Sequence, residues 1–102
     1  MAVHHKNYWY YKGIALRRLH GAGHPDGRRK DEESIACFDK ALTENSEHYL
    51  TWREKGQALY MLGRYEEAIP CFDEAIRLDK DNRIVYAENK ALVIKEQEED
   101  NV

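Results

Sequence analysis

The chain has 102 residues, 42% of them hydrophobic and 34% charged, with a net charge of -3 at neutral pH. That length holds one domain at most, and the acidic balance lacks the overall basicity a nucleic-acid surface needs, so nucleic acid is not an expected partner. The apolar runs are a few residues long, far short of a membrane span. Residues 1–7 carry no apolar stretch ahead of a cleavage site, so the expected setting is reducing and cytoplasmic.

In chain order, the first helical pattern covers about 5–20 and contains Trp9 and Gly13. The stretch from His20 to Lys30 holds Gly21, Gly23, Gly27 and Pro25, which predicts a loop. Its basic end, Arg28-Arg29-Lys30, is answered at once by Asp31-Glu32-Glu33. A second helix follows over about 32–44, with Asp31 as candidate N-cap and Ile35, Phe38, Ala41 and Leu42 on one face.

The third helix is expected over about 47–61, capped by Ser46. There Trp52, Gly56, Leu59 and Leu62 recur at spacings of 4, 3 and 3. Gly63 stands where a helix C-terminal glycine belongs. The fourth helix, about 65–78, carries Ala68, Phe72, Ala75 and Ile76 on one face. It also carries Pro70, which predicts a local bend rather than a break. The fifth, about 83–97 with Asn82 as candidate cap, has Ile84, Ala87, Ala91 and Ile94 on one face and Val85, Tyr86, Leu92 and Val93 elsewhere. No segment alternates as a strand does, so the fold class is all-α.

The chain also repeats itself. Residues 32–42 and 66–76 are identical at seven of eleven positions, at an offset of 34. Residues 9–19 and 52–62 are identical at six of eleven, at an offset of 43. One two-helix unit therefore occurs twice, and the first copy holds nine extra residues, placed at 21–29.

A 34-residue unit of two helices with Trp-x-x-Lys-Gly-x-Ala-Leu in the first resembles the tetratricopeptide repeat. The second copy supplies Trp52, Gly56, Ala68, Phe72 and Ala75. The first supplies Trp9, Gly13, Phe38 and Ala41, with Ser34 where alanine is usual. Lys80 stands where the family has proline, and Tyr86 follows Trp52 by 34 residues, as a third first-helix would. The resemblance implies a solenoid of two repeats, about 6–48 and 49–82, closed by a capping helix, about 83–97, in one domain over 1–102. Such repeats usually come in about three copies. The closing helix is apolar on much of its girth, so a weak homodimer through it is expected.

The resemblance also implies a function: a non-catalytic scaffold or adaptor whose first helices line a concave groove for a peptide or protein segment. Spacing then names the groove residues as Asn7, Tyr10, Ile14 and Arg17 in the first copy and Leu50, Arg53, Gln57 and Tyr60 in the second. Ile84, Ala87, Ala91 and Ile94 continue the stripe on the last helix. The plainer alternative is that these form an ordinary outer helix face. Tyrosine and arginine are frequent binding hot spots, and the stripe would suit acidic or aromatic partners. The family groups that grip chaperone tails use lysine, asparagine and arginine at positions held here by Tyr10, Ile14, Glu54, Ile84 and Glu88, so that clamp is rejected.

The inserted segment is either a tolerated surface loop or a partner contact; as a plain loop, its deletion should leave folding nearly intact. His20, His24 and Asp26, even with His4 and His5, lack the rigid spacing of a metal site, so no metal or other cofactor is expected. Cys37 and Cys71 occupy equivalent points of the two copies and are expected in the core. No phosphate loop or nucleophile–base spacing suggests an enzyme. The alternative function is self-association, a homo-oligomer formed through the last helix.

Overall fold

The computed structural model describes the backbone of residues 5–21 and 25–100, and the side chains of residues 5–19 and 25–100. The described residues form five α-helices: α1 (Tyr8–Gly21), α2 (Gly27–Glu44), α3 (Tyr49–Met61), α4 (Tyr65–Leu78) and α5 (Arg83–Asp100). A 3-10 turn, Lys80–Asn82, leads into the last. The described residues include no strand, and the all-α helical repeat stands. Each helix packs on the next, and α1 also touches α3. The molecule measures 52 × 36 × 18 Å. Its smallest dimension is about two helix diameters, as expected of a two-layer stack.

The core is built on one contact made twice. A Cβ placed on Gly13 would come within 2.9 Å of three ring atoms of Phe38, and one on Gly56 would meet the Phe72 ring at 2.9 to 3.1 Å. Each glycine thus lets its own helix settle on the phenylalanine of the following one. Both rings are fully buried, joined by Ala58, Leu59, Ala68 and Ala75. The tryptophans play a smaller part than their size predicts. Trp9 and Trp52 are only half buried, packed against the rim of the core. The Lys40 ammonium lies 4.2 Å above the Trp9 ring, and Trp52 Nε1 donates to the Ser46 carbonyl at 2.8 Å.

Ion pairs repeat with the packing. Lys55 of α3 meets Asp39 of α2 at 2.7 Å, and Lys90 of α5 meets Asp73 of α4 at 2.7 Å. Asp39 and Asp73 are equivalent positions, so each second-layer aspartate holds the helix that follows it. Cys37 and Cys71 are buried, unbridged thiols, and burial pushes Cys71 up to about 11.

Several boundaries move. α1 begins at Tyr8, because Asn7 adopts a left-handed φ of 67° and its carbonyl takes the Tyr11 N–H at 3.1 Å. Ser46 does not cap α3. Its carbonyl holds Trp52, and the helix starts after His48, whose Nδ1 lies 2.6 Å from Thr51 Oγ1. Asn82 does not cap α5 either; it sits in the 3-10 turn and gives its amide to Asp79 at 2.8 Å. Tyr86 donates to the same carboxylate at 2.7 Å. Hence the inter-repeat turn lacking proline is held by Asp79. Gly63 behaves as expected. Its φ of 75° ends α3, with the Gly63 N–H on Tyr60 and the Arg64 N–H on Leu59, the paired bonds of a Schellman motif.

The largest departure concerns the nine extra residues. α2 starts at Gly27 rather than near Glu32, so Arg28, Arg29 and Lys30 lie on a helix and not in a loop. By the repeat offsets, α1 would end at Arg18 and α2 would start at Asp31. Instead the helices take up three and four of the extra residues, and the connection, five residues against three in the second pair, takes up two. The physical reason is that Arg28, Arg29, Lys30, Glu32 and Glu33 are good helix formers, which carry the helix back to Gly27. His4 and His24, and the side chain of His20, lie outside the described residues.

Candidate functional site: a basic cleft between the first and third helices

Tyr10, Ile14 and Arg17 follow one another on α1 at spacings of 4 and 3, which puts them on one face. α3 presents Arg53 and Glu54 to that face. Together with Arg18 they line a cleft of about 460 Å³. Glu54 is almost completely buried and is held from both sides. Arg17 Nη1 donates to one carboxylate oxygen, and Arg53 Nη2 donates to the other at 2.9 Å. Arg17 also reaches Gln57 at 3.3 Å. Its bond to Glu54 ties α1 to α3. Tyr10 is buried beneath, edge-on to His48 with centroids 4.8 Å apart. Burial first, then the Glu54 charge, raise the Tyr10 hydroxyl above its ordinary pKa.

A second, smaller cavity of about 190 Å³ adjoins the cleft and shares Arg17 with it. It opens between α3 and α5, where Gln57, Tyr60 and Met61 face Leu92 and Val93 over the Phe72 ring. Met61 and Leu92 are exposed. Burial, followed by the nearby Glu96 carboxylate, raises the Tyr60 hydroxyl.

The structure therefore brings together six of the eight predicted groove residues. Tyr10, Ile14, Arg17 and Arg53 line the cleft; Gln57 and Tyr60 join Arg17 in the smaller cavity. Asn7 lies elsewhere, beside Trp9, Glu44 and His48. Leu50 packs against the core. Ile84, Ala87 and Ala91 are exposed on α5, and Ile94 is half buried. Arg18, Glu54 and Leu92 also line the two cavities and lie outside the predicted stripe. A stripe one residue broader would have included Arg18 and Glu54, because each directly follows a chosen arginine.

Residues 49–82, α3 through the 3-10 turn, match the family model described as tetratricopeptide repeat. That match covers 34 of the 102 residues, one tetratricopeptide repeat. No curated protein matches the chain, and neither does any solved structure. Tetratricopeptide repeats generally mediate protein–protein interaction and are typically not enzymes. The matched repeat is the α3–α4 pair, and α1–α2 reproduces its glycine-on-phenylalanine contact. No helix among the described residues is long and apolar enough to cross a membrane.

Proposed function

We propose that the chain is a tetratricopeptide-repeat protein and a non-catalytic interaction module, with residues 8–44 serving as a lengthened first repeat beside the matched one at 49–82. It takes a protein segment in the groove that α1 and α3 line. The supporting observation is the cleft itself, where three arginines surround one carboxylate beside a buried tyrosine. Arginine and tyrosine in a part-buried cleft are the residue types that dominate binding energy. Two buried, unbridged thiols suit a reducing, cytoplasmic setting. The test is affinity capture from cell extract with the native chain and with Arg18→Glu. Arg18 is exposed, so the charge reversal leaves the Arg17–Glu54–Arg53 contact in place. Loss of the captured partner supports the groove; equal capture by both removes it. Replacing Tyr10 would be a poor test, because its ring is part of the core.

A second reading is self-association through α5, favoured by Ile84 and Val85, which are 69% and 48% exposed. It predicts a dimer by light scattering that Val85→Glu turns into a monomer. A monomer at high micromolar concentration would dismiss it.

A further inference from the structure

The clefts differ in chemistry, and the difference specifies a partner. We propose that the groove recognises a protein segment in which a carboxylate side chain enters the arginine cleft and a large apolar side chain, close by in sequence, enters the adjoining cavity. The acid lies toward α1 and the apolar residue toward α5. This inference rests on the reading that the groove binds a protein segment, and it names the chemistry of that segment.

Three guanidinium groups, from Arg17, Arg18 and Arg53, face a single acid, Glu54. Both oxygens of that acid are already engaged by Arg17 and Arg53. Even so, the Nε–H groups of Arg17 and Arg53 are buried without an acceptor among the described residues. Helix α1 contributes no aspartate or glutamate anywhere along its length. The cleft thus keeps two positive charges in a part-buried place, where a charge-assisted hydrogen bond is stronger than in open water. A carboxylate supplies the opposite charge and an acceptor.

The cavity next to it asks for something else. Met61 and Leu92 leave 48% and 46% of their surfaces exposed around Val93 and the Phe72 ring. A large apolar side chain would cover them. An acid would be poorly placed there, because Glu96 stands beside Tyr60, which lines the cavity, and α5 continues into Glu98, Glu99 and Asp100. The groove is therefore basic at one end and apolar, bordered by acid, at the other, which sets the order of the two partner side chains. Arg17 walls both cavities. At about 3.3 Å per residue for an extended segment, the two anchors fall within about four positions of each other.

The experiment selects random peptides of about twelve residues, displayed on phage, on the immobilised full chain. Enriched sequences are then synthesised with a fluorophore and titrated by polarisation against the native chain, Arg18→Glu, Leu92→Ser and Met61→Ser. The expected result is enrichment of Asp or Glu within about four positions of Leu, Ile, Phe or Met. Arg18→Glu, or Asp→Asn and Glu→Gln in the peptide, should weaken binding about tenfold, and about 0.5 M salt should weaken it as well. Leu92→Ser and Met61→Ser should each weaken it severalfold while circular dichroism stays native. Two exposed positions are used so that a fault in folding at one does not decide the outcome. Peptides that bind but lack the acid–apolar pair, and ignore Arg18, Leu92 and Met61, would overturn this inference while leaving protein binding standing. Failure to enrich any peptide would overturn both.

Discussion

Gly13 and Gly56 stand at equivalent points of the two helical pairs, yet they are not equally tight. The Phe38 ring crowds the Gly13 position more closely than Phe72 crowds Gly56. Alanine gains about 1 kcal/mol of helix propensity over glycine, while forcing an extra carbon into a packed core costs about 1–3 kcal/mol. Gly13→Ala should therefore destabilise the chain by about 1–2 kcal/mol, and Gly56→Ala by less; paired urea titrations measure the difference. His48 offers a test by pH. It packs against Tyr10 and Tyr49 and sits 2.6 Å from Thr51 Oγ1, and burial lowers its pKa below the ordinary value of 6.5. The folded chain therefore resists a proton that the unfolded chain accepts. This contribution to stability is complete above about pH 6.5 and is lost as pH falls from there through the lowered folded value. His48→Gln should show a shallower loss of melting temperature between about pH 7.5 and pH 5.5 than the native chain. Equal slopes would dismiss the account.

Among the elements, the first connection is the informative one. The insertion lengthens the helices at both of its ends, so removing 21–29 does more than shorten a loop. The deletion would leave Leu19-His20-Lys30 as the counterpart of Leu62-Gly63-Arg64, and His20 would inherit the place of a glycine at φ 75°. A side chain in that left-handed conformation costs about 1–2 kcal/mol. The shortened chain should keep its helicity but melt lower, and adding His20→Gly should recover most of the loss; circular dichroism melts test both. Pro70 shows a different economy. α4 runs through it without interruption, and both Pro70 and Glu66, whose carbonyl loses its helical donor, are exposed. The unpaired carbonyl is thus open to solvent rather than buried, where it would cost more.

For the molecule as a whole, stability and recognition divide at α5. Tyr86 and Val93 are its buried residues, and they cover α4. The Tyr86 hydroxyl, pushed up to about 12 by burial and then by its bond to Asp79, is anchored as a neutral donor. A chain ending at Asn82 loses both side chains from the core. At about 1.5–3 kcal/mol per large buried side chain, it should lose about 3–5 kcal/mol and the Leu92 side of the groove together. Cooperative unfolding at an unchanged denaturant midpoint would contradict this. Repeats that lean on their neighbours make such a truncation felt along the stack.

How much of this was legible in the sequence follows from the range of the forces involved. Helical period, the 34-residue repeat, the turn at Gly63 and the burial of Phe38 and Phe72 are matters of local spacing, and the chain determined them by itself. α4 was predicted with its boundaries. The lengthened α2, the half-buried tryptophans and the caps that Ser46 and Asn82 do not form depended on neighbours distant in sequence. So did the grouping of Arg17, Arg18 and Arg53 around Glu54. Arg17 and Glu54 are 37 residues apart, and no periodicity within one helix states that their side chains meet. Only the angle at which α1 settles against α3 decided it, and with it where a positive charge is left over for a partner.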